Sequence, residues 1–163
     1  MSIRTATRFV VLSALALGAA GYAGGSSCLA QEANMTIGVT GGDTLGFSWK
    51  FIDPGAPRNS YESSIGWTVR GEDAWEFRWM YQRVVFDLKR NGGGRVDLYA
   101  AGGLRVKLED DTRYGLRAAL GINFIPSDRE FSPEIFLEAA PTRDVSPDHH
   151  SHVGLAAGVR WRL

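Results

Sequence analysis

The three histidines of the chain lie together in the segment DHHSH, at positions 148–152. Histidines two residues apart share one face of a β-strand, and imidazole is a common ligand of zinc and copper, so His149, His150 and His152 are candidate metal ligands. Asp148 and Ser151 add the other side chains of a hydrolytic triad. Triad members usually converge from different elements, however, and a solvated polar loop is the simpler explanation of the segment. We therefore expect no enzymatic activity and no cofactor.

A second set of charged residues alternates with apolar residues along much of the chain, which places the charges on one face of each strand. If that face lines a narrow barrel, the charges must pair, because an unpaired charge in a low dielectric costs several kcal/mol. Within this lumen charge network we expect Glu138, in the motif FLEAAP, to lie nearest the arginines of neighbouring strands and to pair with Arg160. The set comprises Glu76, Arg78, Asp97, Arg105, Lys107, Arg113, Arg117, Glu134, Glu138 and Arg160.

The remaining motifs do not point to nucleotide or nucleic acid chemistry. The segments GGDT and RNGGGR lack the GxxxxGK[ST] pattern of a phosphate-binding loop, and glycine-rich hairpin turns explain them. The formal net charge is zero. Because no basic cluster accompanies this neutral balance, we expect no nucleic acid partner.

The elements that position these residues are predicted to be β-strands. Apolar residues recur at every second position from Met35 onward, and turn-rich segments such as DPGAPRNS and EDDT separate the runs. The parity changes near Gln82 and Arg83, which indicates a β-bulge inside one long strand. Segment 141–151, PTRDVSPDHHS, is predicted to be a loop. About eight strands result, and closing them into a barrel leaves no exposed edge.

The alternation alone does not decide whether the apolar face points into a core or outward into lipid. Three features favour the outward direction. The polar face is rich in glycine and alanine, as the crowded interior of an eight-stranded barrel requires. Aromatic residues such as Trp75 and Tyr81 fall near strand ends, where membrane-interface girdles lie, and the last strand runs to the final residue, Leu163. We predict an all-β fold: an antiparallel, up-and-down, eight-stranded transmembrane β-barrel over residues 31–163.

Residues 1–30 are predicted to be a cleaved signal peptide. Arg4 and Arg8 precede an apolar run at 9–20, FVVLSALALGAA, and small residues follow it. The run is too short for a transmembrane helix, which needs about 20 residues. We favour cleavage after Ala30, with cleavage after Ala23 as the alternative. The single cysteine, Cys28, lacks the preceding leucine of a lipobox and falls inside the predicted signal peptide.

Several stretches resemble a family of small bacterial outer-membrane barrels of unknown function. They are TLGFSWKF, LYAAGGLRVKLEDDTRYGLRAALGINFI, EIFLEAAPTRDVSP and GLAAGVRWRL, where members of that family read FLE-x-AP before the last loop and GIGVRYYF at the end. The C-terminal residues Val159, Trp161 and Leu163 also resemble the terminal assembly signal of Gram-negative outer-membrane barrels, which normally closes with Phe or Trp. The resemblance implies an eight-stranded barrel of the size of OmpA and OmpX, and it implies no established activity.

These observations together predict an exported protein of the outer membrane of a Gram-negative bacterium. We expect a small integral barrel with a structural or interaction role and a lumen plugged by charged side chains. Its expected partners are outer-membrane lipids and, during biogenesis, the barrel assembly machinery and periplasmic chaperones, with the barrel itself a monomer. Two alternatives are a soluble periplasmic, lipocalin-like ligand-binding barrel and a narrow anion-conducting pore, the latter because bases exceed acids in the predicted lumen set.

Overall fold

The computed structural model describes residues 34–69, 74–89, 94–109, 111–126, 132–146 and 149–163. The predicted signal peptide lies outside these residues. The eight strands are β1 (Met35–Gly42), β2 (Thr44–Ile52), β3 (Asn59–Thr68), β4 (Trp75–Lys89), β5 (Arg95–Leu108), β6 (Arg113–Ile125), β7 (Pro133–Ser146) and β8 (Ser151–Arg162). Each strand pairs antiparallel with the next, and β1 pairs with β8, so the sheet closes into a barrel. The prediction of eight antiparallel strands in a closed barrel is confirmed.

The up-and-down order of the strands defines two ends of the barrel. Met35 and Arg162, at the outer limits of β1 and β8, lie at one end, which we call the terminal end. The connections β1–β2, β3–β4, β5–β6 and β7–β8 lie at the other, which we call the turn end. There Gly42 has a φ of 145°, a conformation that residues with a Cβ rarely adopt. The segment GGDT therefore forms the predicted turn.

The apolar face of the barrel points outward, and the polar face lines the interior. Phe47, Leu120 and Leu155 expose 60%, 64% and 66% of their surface, whereas Arg160 and Gln82 expose 0% and 2%. The distribution is the reverse of that in a soluble barrel, where apolar side chains fill the interior. The charged lumen described below is the consequence of this arrangement.

Inward-facing glycines make room for two large rings inside the barrel. A Cβ on Gly121 would lie 2.3 Å from Cζ of Tyr99, and a Cβ on Gly158 would lie 2.4 Å from a ring carbon of Phe136. Each ring therefore packs directly against a glycine on the adjacent strand, so closely that the Cβ of any other residue there would overlap it. The small residues expected on the polar face are explained by this close packing.

Two irregularities shift the strand register relative to the sequence prediction. The bulge expected near Gln82 and Arg83 lies between Val84 and Phe86 on β4, a few residues later. A second shift falls between Tyr114 and Gly115, where β6 pairs with β7, and the sequence did not indicate it. The loop predicted over 141–151 is also too long, because β7 continues to Ser146. Inward and outward residues continue to alternate through TRDV, but the prolines on both sides of this segment favoured the prediction of a loop.

Candidate functional site: the charged lumen

Arg160 of β8 is the centre of the ion-pair group nearest the terminal end. Its Nη1 donates to Oε1 of Glu134 at 2.9 Å, its Nε donates to Oγ of Ser48 at 3.2 Å, and its Nη2 donates to Glu62. The guanidinium carbon also lies 3.9 Å from the centroid of the Phe136 ring, within cation–π range. Strands β2, β3, β7 and β8 are thus connected through one side chain.

Lys50 and Gln82 complete this group. Nζ of Lys50 donates to Oε2 of Glu134 at 2.7 Å, and Nε2 of Gln82 donates to Glu62. Lys50, Glu62, Glu134 and Arg160 form what we call the terminal cluster, in which two cations face two carboxylates. All four residues are buried, so the terminal cluster is packed inside the lumen.

A second group, the middle cluster, lies further toward the turn end and consists of Tyr99, Arg117, Glu138 and Thr142. Nη2 of Arg117 donates to Oε1 of Glu138 at 2.9 Å, and its Nη1 donates to Oγ1 of Thr142 at 3.3 Å. The hydroxyl of Tyr99 donates to Oε2 of Glu138 at 3.0 Å. Tyr99 is 0% exposed, so this layer is also packed rather than open.

The upper cluster, nearest the turn end, is built around Arg105 of β5. Its Nε lies 3.0 Å from Oε2 of Glu76, and its Nη1 donates to Oδ1 of Asp144 at 3.1 Å. Nε of Arg78 donates to Oε1 of the same Glu76. The upper cluster, Glu76, Arg78, Arg105 and Asp144, is thus another group of two cations and two carboxylates.

The other predicted lumen residues pair at the two rims. Lys107 and Arg113 both contact Glu109 at the turn end, the latter at 3.0 Å. Asp97 lies 2.9 Å from Nη2 of Arg95 toward the terminal end. All ten residues of the predicted set therefore lie on the inward face and contact a group of opposite charge.

The predicted pairing of Glu138 with Arg160 is wrong. In the β7–β8 register, Glu138 is opposite Ala156, and Glu134 is opposite Arg160. Glu138 instead pairs with Arg117 of β6, on its other side. The strand pair was correct, but a displacement of four residues changed the partner, and the sequence contains no signal that fixes that register.

Sequence reasoning missed several residues that complete the clusters. Lys50 lies between Trp49 and Phe51, and Glu62 follows Tyr61, so alternation marks both as inward-facing. Asp144 was hidden in the segment predicted to be a loop. These additions also change the charge balance: the acids Glu62, Glu109 and Asp144 outnumber the added bases Lys50 and Arg95, so the predicted excess of bases is reduced. The described lumen therefore gives weaker support for a preference for anions than the predicted set did.

The histidine segment forms no metal-binding group among the described residues. Asp148 lies outside them. The rings of His150 and His152 are stacked with centroids 6.0 Å apart, and His149 is exposed. No group of three or more His, Cys, Asp or Glu within the described ranges has an arrangement that could hold a metal ion. Ser151 and His152 are consecutive in β8, so their side chains point to opposite faces of the wall.

Val159, Trp161 and Leu163, predicted to form the C-terminal assembly signal, occupy alternate outward positions at the terminal end.

Comparisons with protein-family models, curated proteins and solved structures find no match for this chain. In the part of the chain that the structure describes, no helix is long and apolar enough to cross a membrane. The described residues form a closed, eight-stranded, antiparallel β-barrel with a charged, packed interior.

Proposed function

We propose that this protein is a small integral β-barrel of the bacterial outer membrane, with a structural or interaction role and a lumen closed by its ion-pair clusters. The observation that carries the proposal is the composition of the outward face. Among the strand side chains that the structure describes, Arg83 and Arg143 are the charged residues on that face. Large exposed hydrophobic side chains occupy the outward face of all eight strands. In water, a protein with such an apolar surface would aggregate, whereas lipid solvates the surface.

The arrangement of aromatic side chains supports the same environment. Trp67 and Trp75 lie edge to face near the turn end, with centroids 6.1 Å apart, and Tyr61 and Tyr81 lie nearer the terminal end, 5.4 Å apart. Amphipathic rings in these positions are typical of the two membrane–water interfaces. A barrel wall also satisfies its backbone groups internally, which a segment inside a bilayer must do.

The two alternative functions receive less support. A lipocalin-like protein needs an apolar cavity for its ligand, but the interior here contains Arg160, Glu62, Glu134 and other buried charges. An anion pore needs a continuous water path with excess positive charge. Arg160 is 0% exposed and is paired with two carboxylates, so both conditions are opposed by the same cluster.

The proposal has three further parts. The protein resides in the outer membrane of a Gram-negative bacterium, and it belongs to the family of small barrels that the sequence resembles. It reaches the membrane through periplasmic chaperones and the barrel assembly machinery. They rest on the sequence of residues 1–30 and on the alternating pattern of the last strand. A role in structure or interaction is proposed because the lumen charges are paired with one another.

The experiment is expression of the full chain with its leader, followed by fractionation and refolding. We expect the protein in the outer-membrane fraction, extraction only with detergent, and faster gel migration before boiling than after. Refolded into phosphatidylcholine vesicles, it should float with them and resist carbonate, and planar bilayers should show no steady conductance. Release as a monomer without detergent would refute membrane insertion, and stable anion-selective steps would refute the closed lumen.

A further inference from the structure

The hydrogen-bonded pairing of β6 with β7 is interrupted at one place in the barrel wall. Ala118 and Ala119 lack Cα partners on β7, whereas their neighbours Arg117 and Leu120 have them. Pro141, which faces this gap, has no N–H to donate to β6. We call Ala118, Ala119 and Pro141 the β6–β7 seam. The pairs on both sides of the gap keep the same register, so the interruption is local to these residues.

A cleft of about 440 Å³ opens at the seam. The small side chain of Ala118 and the neighbouring Gly102 of β5 leave it uncovered, since a Cβ on Gly102 would meet nothing within 4 Å. The lining contains side chains from both faces of the wall: outward-facing Leu116, Ala118, Pro141, Arg143 and Val153, and lumen-facing Arg117, Thr142 and His152. Because Arg117 and Thr142 are 5% and 2% exposed, the outward-facing side chains form the accessible surface of the cleft.

One arginine gives the lipid side of this cleft a positive character. Arg143 is exposed and is one of two charged side chains on the described outward face, the other being Arg83 of β4. Arg117 lies behind this wall in the lumen, where it is 5% exposed and paired with Glu138. An exposed guanidinium such as that of Arg143 is suited to oxygen ligands such as phosphate.

An apolar groove continues from the cleft toward the middle of the barrel. A second cleft of about 640 Å³ is lined on its outer side by Leu120, Leu137, Ala139, Leu155 and Ala157. These are the next outward positions after those that line the first cleft. From Arg143 to Leu137 the strand advances six residues, about 20 Å. With a strand tilt of about 40° this is about 15 Å along the membrane normal, half of a hydrocarbon core of about 30 Å.

We propose that the β6–β7 seam binds one anionic phospholipid of the surrounding bilayer. Its phosphate would contact Arg143, and an acyl chain would lie along Leu120, Leu137 and Leu155. The relative positions of the charge and the groove favour this occupant. The charge of Arg143 lies toward the turn end, and the apolar groove extends from it toward the middle of the barrel by about the depth of one leaflet. The inference rests on the proposed membrane function, since the ligand comes from the bilayer.

The test is native mass spectrometry of the full barrel released from micelles that contain phosphatidylglycerol and phosphatidylcholine with identical chains. We expect one retained phosphatidylglycerol and little phosphatidylcholine. Arg143→Gln should weaken the retention of phosphatidylglycerol about tenfold, the effect of losing one charge-assisted contact of about 1.4 kcal/mol. Arg83→Gln is the matched control and should leave retention unchanged. Ala118→Phe, which fills the cleft from the lipid side, should lower the retention of both lipids without changing heat-modifiable migration.

Equal retention of the two lipids, or equal loss from Arg83→Gln and Arg143→Gln, would overturn the lipid site. Displacement of the phospholipid by inorganic phosphate alone would overturn the part of the proposal that assigns the groove to an acyl chain. A barrel that fails to float with vesicles would refute the proposed function. A barrel that floats but retains no anionic lipid refutes only this inference.

Discussion

Replacing Arg160 by methionine tests whether the terminal cluster holds the barrel together. The guanidinium is 0% exposed and contacts Glu62, Glu134 and Ser48. Without it, two buried carboxylates face the single cation Lys50, so the cluster carries one uncompensated negative charge. Breaking a buried ion pair in this way costs about 3–5 kcal/mol. Methionine keeps much of the side-chain volume and leaves Phe136 packed, so the loss reports on charge rather than on a cavity.

The assay is urea unfolding of the refolded barrel in detergent micelles, followed by the heat-modifiable gel shift and by tryptophan fluorescence. Arg162→Met, an exposed change two residues away on the same strand, is the matched control and should alter the free energy of unfolding by less than about 0.5 kcal/mol. Adding Glu62→Gln to Arg160→Met restores neutrality, and the double variant should be more stable than the single variant. The coupling between the two sites should be about 1–3 kcal/mol.

Two results would refute this reasoning. One is a loss below about 1 kcal/mol for Arg160→Met, which would mean that water or rearrangement compensates the charge. The other is strict additivity of Arg160→Met and Glu62→Gln, which would mean that these two groups do not interact in the folded barrel.

Three further predictions use the same unfolding assay. Gly121→Val should destabilise the barrel by about 1–3 kcal/mol, because its Cβ would overlap the ring of Tyr99; Gly102→Val, where a Cβ meets nothing within 4 Å, is the control, and equal losses would contradict the packing argument. Leu120→Arg should cost about 2–4 kcal/mol when the same unfolding is followed in phospholipid vesicles instead of micelles, and an unchanged or raised stability would argue that this face contacts water. Glu138→Gln should cost about 1–3 kcal/mol, because it leaves a buried guanidinium without its carboxylate; a loss that 0.5 M salt abolishes would show that the pair is exposed.

The sequence by itself determined the strands, the approximate strand number and the two faces. Alternation at Trp75, Phe77 and Trp79 against Glu76 and Arg78 is a local property, because side chains in any strand point to opposite sides in turn. The glycine content of the polar face also indicated which face is crowded, since only a narrow interior requires residues as small as Gly121 beneath the ring of Tyr99.

Only the tertiary structure decided which charges meet. Arg160 contacts Glu62 of β3 across a separation of 98 residues, and Glu134, rather than Glu138, of the adjacent strand. Such contacts depend on strand register and on barrel closure, and both are set by all eight strands together. Residues that share one face of a strand recur every two positions. The alternating pattern is therefore equally compatible with a neighbouring strand displaced by two or four residues. For that physical reason the sequence could predict a paired lumen but not the pairs within it.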